Sequence, residues 1–311
     1  RSRNDKVDES PLWSLSDRSD QPIPVLGRTE FKAAVLKLFD PRAEKRMIVV
    51  DEAKDAEPVG RSGKSFSAGI LKAIARDRPA LVLEFSAREL SKYTPEEFVG
   101  ELCRRIGIDP TKHAPMPTKP DGDRQVTRWW SSELPDWFGQ LLEDRAVPAV
   151  MAAQEQAVQS DAAPATGREL VIKELIWIVI DDIHKWPPVR GLRELLAGMA
   201  GVTDTQQVLR AGLKALRWLI IGHVPDFVRD RASAYEPDTV SPSRIGKKEW
   251  VDCLRAYFLS SGQPDRFNEV AAQALYDFSM GMLPDATNPE KRLSIIAAAI
   301  PTAIRSFPVG G

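Results

Sequence analysis

Gly60-Arg61-Ser62-Gly63-Lys64-Ser65 runs directly into a helical pattern, Phe66 to Ala75, and that junction decides the fold. Glycines let the backbone turn tightly enough for consecutive N–H groups to face a polyphosphate. The N-terminus of the following helix adds partial positive charge. In the pattern G-x-x-x-x-G-K-[ST], Lys64 reaches the β- and γ-phosphates and the Ser65 hydroxyl ligates Mg²⁺. Gly60, Ser62, Gly63 and the start of the helix at Phe66 complete the expected phosphate cradle. The chain departs from the pattern at position 58, where Pro58 replaces the first glycine.

Outward from this junction, four apolar runs read as buried strands: 46–50, 80–85, 175–180 and 216–222. They are unalternated, as strands covered on both faces are, and helical patterns separate them. Strand–helix alternation predicts parallel strands with crossover connections. Helices are expected at Thr29–Phe39, from Thr94-Pro95-Glu96-Glu97 to about 106, at 129–142, at 189–200 and at 204–215. The proline and acids at 95–97 suit the first turn. Residues 51–59, 108–124 and 232–246 read as loops, and 145–168 as a partly helical excursion. After Lys247 the pattern is helical, with breaks near 262–264 and 281–289. The expected fold class is therefore α/β, a parallel-sheet sandwich over 23–245 with a C-terminal helical lid over 246–311. Residues 1–22, polar and proline-containing, read as a linker from an upstream domain.

Trp177-Ile178-Val179-Ile180-Asp181-Asp182 is an apolar strand ending in two carboxylates. Parallel strands deliver their carboxyl ends to one edge of a sheet, where ligands bind. Asp181 is expected to hold Mg²⁺ and Asp182 to orient or deprotonate an attacking water. His223 follows the strand at 216–222, where a polar side chain would touch the γ-phosphate; a surface histidine is the plainer reading. Trp129 and Trp130 are expected to be core or contact residues, since aromatics bring large burial area.

Composition narrows the alternatives. The 311 residues carry a net charge of −1, so no overall basic field draws in nucleic acid or anionic membrane. Two cysteines, Cys103 and Cys253, cannot form a disulfide framework or a zinc cluster, and suit reduced thiols in a cytoplasmic protein. No run approaches the roughly 18 apolar residues of a membrane span, and no signal segment opens the chain.

The order of these pieces resembles the P-loop NTPases of the STAND class, sister to AAA+ ATPases. Val25-Leu26-Gly27-Arg28 is similar to the "GR" motif before their first helix, which implies that Arg28 lies near the nucleotide base. Ile178–Ile183 is similar to their Mg²⁺-binding strand, and Leu219–His223 falls where their sensor strand falls. Gly281-Met282-Leu283-Pro284 resembles their Gly-x-Pro element with one residue added, which implies a nucleotide contact for Pro284. The resemblance implies ATP or ADP with Mg²⁺ as cofactors, nucleotide bound between core and lid, and slow or absent hydrolysis. It also implies a switch acting on an attached effector or protein partner, as in bacterial defence and signalling proteins, and an oligomer on activation. No N-K-x-D guanine-reading motif is present. Two other expectations stand beside it: a nucleotide-independent scaffold, suggested by Pro58 and the long approach from Val50, and an oligomeric AAA+ ATPase using Arg210 or Arg217 as an arginine finger. Arg292 and Arg305 are candidates to reach the γ-phosphate from the lid.

Overall fold

The computed structural model of the chain describes residues 25–52, 66–76, 78–145, 174–183, 185–202, 209–222, 224–229, 234–240, 246–281 and 289–307. They fall into two units, one from the described parts of 1–32, 52–74 and 239–311, the other from 33–51 and 75–238.

The sheet is five-stranded and parallel, in the order β2-β3-β4-β1-β5. Its strands are β1 (Met47–Glu52), β2 (Ala80–Ser86), β3 (Leu175–Asp181), β4 (Leu216–Ile221) and β5 (Glu236–Val240). The chain leaves β1 for the far edge, returns through β3 and β4, and adds β5 on the other side of β1. The strand order therefore reverses at β1, and such a switch point opens a crevice at the carboxyl ends of the strands. The four apolar runs form β1 to β4. β5 lies in the stretch expected to be loop. Its sequence, Glu236-Pro237-Asp238-Thr239-Val240, carries a proline and two acids, a composition tolerated only where one side of a strand makes no ladder.

Alternation sorts the strand side chains onto two covered faces. Met47 and Val49, Leu83 and Phe85, Ile176, Ile178 and Ile180, and Trp218 and Ile220 share one cluster. Helix α4 (Pro95–Ile106) joins it through Phe98, Val99, Leu102 and Ile106. The intervening residues Ile48, Val50, Trp177, Val179, Leu219 and Ile221 are buried on the opposite face. Helix α3 (Ala87–Leu90) is a single turn capped by Ser86. Helix α4 starts on a Thr94–Glu97 capping box with Pro95 in its first turn and stops at Gly107, whose φ is 79°.

The helix expected at 129–142 begins earlier, as α5 (Asp123–Arg128). It widens to a π turn over Trp129–Glu133 and continues through 134–145. It packs on α6 (Arg190–Ala200) at very short range. A Cβ on Gly198 would stand 2.2 Å from the Ser131 carbonyl oxygen, so only glycine permits the approach. Trp129 is buried, with Nε1 donating to the Pro117 carbonyl at 3.2 Å, and Trp130 packs against this unit's core. Where a helix over 204–215 was expected, the described residues hold one turn, α7 (Ala211–Lys214), with Arg210 extended ahead of it at φ −56° and ψ 150°. A further turn, α8 (Asp226–Arg229), follows β4.

The other unit contains helix α2 (Phe66–Ala75) up to Ile74 and a C-terminal bundle of α9 (Lys247–Ser260), α10 (Glu269–Gly281) and α11 (Pro289–Ser306). Trp250, Leu254, Phe258, Ala272, Tyr276, Ile300 and Phe307 form its core, and Leu26 joins them. Trp250 Nε1 donates to the Ala272 carbonyl at 2.9 Å, and Arg266 Nη2 donates to the Phe307 carbonyl at 3.0 Å. The expected breaks appear as the turn at Gly262 and as α10 ending at Gly281 before α11 begins at Pro289.

Candidate functional site

The carboxyl end of the sheet is level. Parallel register pairs Ser86 with Asp181, Asp181 with Ile221, and Ile221 with Val50, so these four residues form one row. With about 4.8 Å between neighbouring strands, Asp181 lies about 10 Å from Val50, across β4. One step further along the chain come Asp51 on β1, Gly222 after β4 and Asp182 after β3. The Gly222 N–H donates to the Val50 carbonyl at 2.9 Å. From β1 the chain runs through 53–65, which contains the Gly-Lys-Ser sequence, into α2.

Asp181 ends a strand whose preceding six residues are all buried, and is itself half-buried. Its Oδ1 accepts the Asp182 N–H at 2.8 Å. Asp182 is the one non-glycine residue in the left-handed region among the described residues, with φ 61°. A tight turn accounts for this: the Lys185 N–H donates back to the Asp182 carbonyl at 2.9 Å. Lys185 Nζ also lies 2.9 Å from Asp182 Oδ1, with both side chains about half exposed. Asp182 thus presents its carboxylate already engaged by a flexible lysine, an exposed pair that water and salt can readily exchange.

The chemistry of Asp181 fits a hard cation. Mg²⁺ takes oxygen ligands, keeps several waters and is commonly held by one or two carboxylates together with substrate phosphates. Among the described residues no three His, Cys, Asp or Glu side chains gather as a metal cluster, and a Mg²⁺–phosphate site needs none.

Gly60, Ser62, Gly63, Lys64, Ser65, His223 and Pro284 lie outside the described residues. Phe66 opens α2 and is half-buried. Arg28 is buried; its Nη2 donates to Ser67 Oγ at 2.6 Å and its guanidinium sits 4.5 Å above the Phe31 ring. Sequence reasoning passed over Ser67. The available signal was a hydroxyl two residues beyond Ser65 in a helical run whose only other polar side chain is Lys72.

The arginine-finger candidates are otherwise employed. Arg217 is fully buried, and its guanidinium donates to the carbonyl oxygens of Leu38 at 2.6 Å, Lys214 at 2.6 Å, Leu216 at 3.0 Å and Asp40 at 2.9 Å. Burial pushes it down to about 10, with the nearby Arg46 adding to the effect and Asp40 opposing it. A side chain so placed at the amino end of β4 does not reach another molecule. Arg210 donates to Gln140 Oε1 at 2.7 Å and lies 3.7 Å from Glu143. Arg305 is exposed, with Nη2 3.5 Å from Thr302 Oγ1.

No protein-family model matches the chain, and no curated protein matches it. Among solved structures, the Aeropyrum pernix ORC2 protein in its ADPNP–ADP complexes aligns with a TM-score of 0.42 and 10% identity, over 93% of this chain and 70% of that one. The ADP form of the same protein aligns with a TM-score of 0.40 and 9% identity, over 94% and 71%. Drosophila ORC bound to DNA aligns with a TM-score of 0.33 and 12% identity, over 90% and 68%. At these values the likeness assigns no residue a role. Among the described residues no helix is long and apolar enough to cross a membrane.

Proposed function

We propose that the chain is a STAND-like nucleotide-binding switch module, taking ATP or ADP with Mg²⁺ at the carboxyl end of the sheet and acting on an effector or protein partner. One observation carries the reading: the register that sets Asp181 level with Val50, one strand apart. The phosphate-loop sequence leaves from the end of β1, and the carboxylate pair leaves from the same edge. On this reading Gly60–Ser65 cradle the phosphates, Lys64 neutralises their charge, and Ser65 and Asp181 hold Mg²⁺. When bound, Mg²⁺ would screen the phosphate charge. Asp182 orients water once Lys185 is displaced, which makes hydrolysis slow. His223 and Pro284 are proposed as further nucleotide contacts.

A second reading, a scaffold that needs no nucleotide, draws on Pro58 and on the Asp182–Lys185 pair, which occupies the water-handling carboxylate. The two separate on titration of a fluorescent ATP analogue with Mg²⁺ against wild type and Lys64→Ala. The switch requires saturable wild-type binding that weakens at least tenfold in the variant, with turnover absent or slow. Equal, negligible binding by both proteins would leave only the scaffold. Steady turnover that rises with protein concentration would instead indicate an oligomeric ATPase.

A further inference from the structure

Ser67 is the second residue of α2 and is completely buried. A buried hydroxyl requires a hydrogen-bond partner, and Ser67 takes one 39 residues away, the Arg28 guanidinium at 2.6 Å. Arg28 is itself only 6% exposed and stacks over Phe31. Buried charge is weak evidence of a stability role, because apolar replacements of similar volume often serve as well or better. The geometry around Arg28 suggests another role. Two residues before it, Leu26 lies in the bundle core with Trp250, Leu254, Ile300 and Phe307. The Val25 backbone hydrogen-bonds Cys253 on α9, and after Arg28 the partly buried Lys32 lies beside Asp252 and Cys253. The segment 25–32 is thus anchored on α9 before and after Arg28, while Arg28 itself reaches across to the first turn of α2.

We propose that Arg28 and Ser67 are positioning residues: their hydrogen bond ties the first turn of α2, immediately after Gly63-Lys64-Ser65 in sequence, to the C-terminal bundle. Arg28 then acts on a bound nucleotide through α2. Filling of the phosphate loop is felt in α9–α11 through this link. The coupling rests on the nucleotide-binding reading above; the link itself does not.

The test uses the full chain as wild type, Ser67→Ala, Arg28→Met, Arg28→Lys and the Ser67→Ala/Arg28→Met double variant. Backbone hydrogen exchange by mass spectrometry is followed on peptides covering 66–75 and 247–260, with and without a fluorescent ATP analogue and Mg²⁺. Without nucleotide, Ser67→Ala and Arg28→Met should each speed exchange of the first turn of α2 about tenfold or more, the scale of losing a charge-assisted hydrogen bond. The double variant should add little, and Arg28→Lys should restore part of the protection. With saturating analogue, wild type should gain protection in both peptides, whereas Ser67→Ala should gain it in 66–75 only. Unchanged exchange of α2 in Ser67→Ala, or full additivity in the double variant, would overturn the link. Undiminished transmission to 247–260 in Ser67→Ala would overturn the coupling. If wild type binds no analogue, the functional reading and the coupling fail together, while the nucleotide-free comparison still decides the link.

Discussion

At the amino end of the sheet, Arg46 and Arg217 give their guanidinium hydrogens to main-chain carbonyls. Arg46 serves Ala200 at 3.1 Å and Leu213 at 3.4 Å; Arg217 serves Leu38, Asp40, Lys214 and Leu216. At the carboxyl end lie instead Asp51 on β1, Asp181 at the end of β3 and Asp182 just after it, all half-buried. One end ties helix termini and turns to the strands with cations that never leave. The other gathers carboxylates that water reaches, and on the proposed reading a cation would bind there. On the proposed reading, the contrast separates residues that serve stability from residues that would serve a ligand within a single sheet.

The largest effect that tests this contrast is expected from Arg217→Met. Removing the guanidinium takes its donors from two buried carbonyls, those of Leu38 and Leu216, each costing about 1–3 kcal/mol, so a loss of about 3–5 kcal/mol overall is expected. Urea unfolding measures it. Nucleotide-analogue affinity of the remaining folded protein should be unchanged. A variant of normal stability that had lost the analogue would reverse the assignment of the two ends.

Asp181→Asn should behave in the opposite way. The amide oxygen still accepts the Asp182 N–H, so stability should stay within about 1 kcal/mol of wild type. Analogue binding in Mg²⁺ should weaken about tenfold or more, with a smaller loss in EDTA, because a charged oxygen ligand has been replaced by a neutral one. Equal weakening with and without Mg²⁺ would remove the metal role from Asp181.

A smaller effect distinguishes strands within the carboxyl end. β2 is held there by Arg105, whose Nη1 donates to the Glu84 carbonyl at 2.6 Å and whose Nε donates to Glu101. Hydrogen bonding from Arg104 above all, with Arg105 and both positive charges, holds the Glu101 carboxyl down at about 2. A lowered folded value means that this contribution is fully present above the usual value of 4.5 and is lost as pH falls toward 2. Glu101→Gln should therefore flatten the fall of the urea midpoint over that window and leave analogue binding at pH 7 untouched. A fall that is unchanged in the variant would show that the cluster does not stabilise β2.

These distinctions were only partly legible in the sequence. Strands β1 to β4 are continuous apolar runs, and burial on both faces makes that signal strong. The start of α4 was equally plain, because Thr94, Pro95 and Glu97 each satisfy the geometry of a helix N-terminus. β5 was hidden because an edge strand needs little apolar surface and tolerates Pro237. The π turn at Trp129–Glu133 has no local sequence mark. Arg217 read as a possible finger because it follows the Asp pair in sequence, whereas its partners are main-chain oxygens supplied by residues such as Leu38, 179 positions away. The Arg28–Ser67 link was hidden too: Arg28 read as a residue near the nucleotide base, and Ser67 looks ordinary until the fold brings the two to 2.6 Å. Asp181 and Asp182 were legible as a pair, but their different backbone states were not.

That difference supplies the finest test of the comparison. Asp182 holds a left-handed φ of 61° that glycine would adopt without strain. A side chain there costs about 1 kcal/mol, somewhat less for aspartate, which visits this region more readily than most residues. Its ion pair with Lys185 is exposed at both partners and returns about 0–1 kcal/mol. The turn's main-chain bond, Lys185 N–H to the residue 182 carbonyl, survives any substitution that keeps the backbone. Asp182→Gly should thus leave stability within about 1 kcal/mol of wild type in urea. If the variant instead loses more than about 2 kcal/mol, the carboxyl end is as structural as the amino end and the contrast between them falls. If stability holds and any slow hydrolysis disappears while analogue affinity remains, a strained aspartate is being retained for its carboxylate alone, which is what a residue that handles water requires.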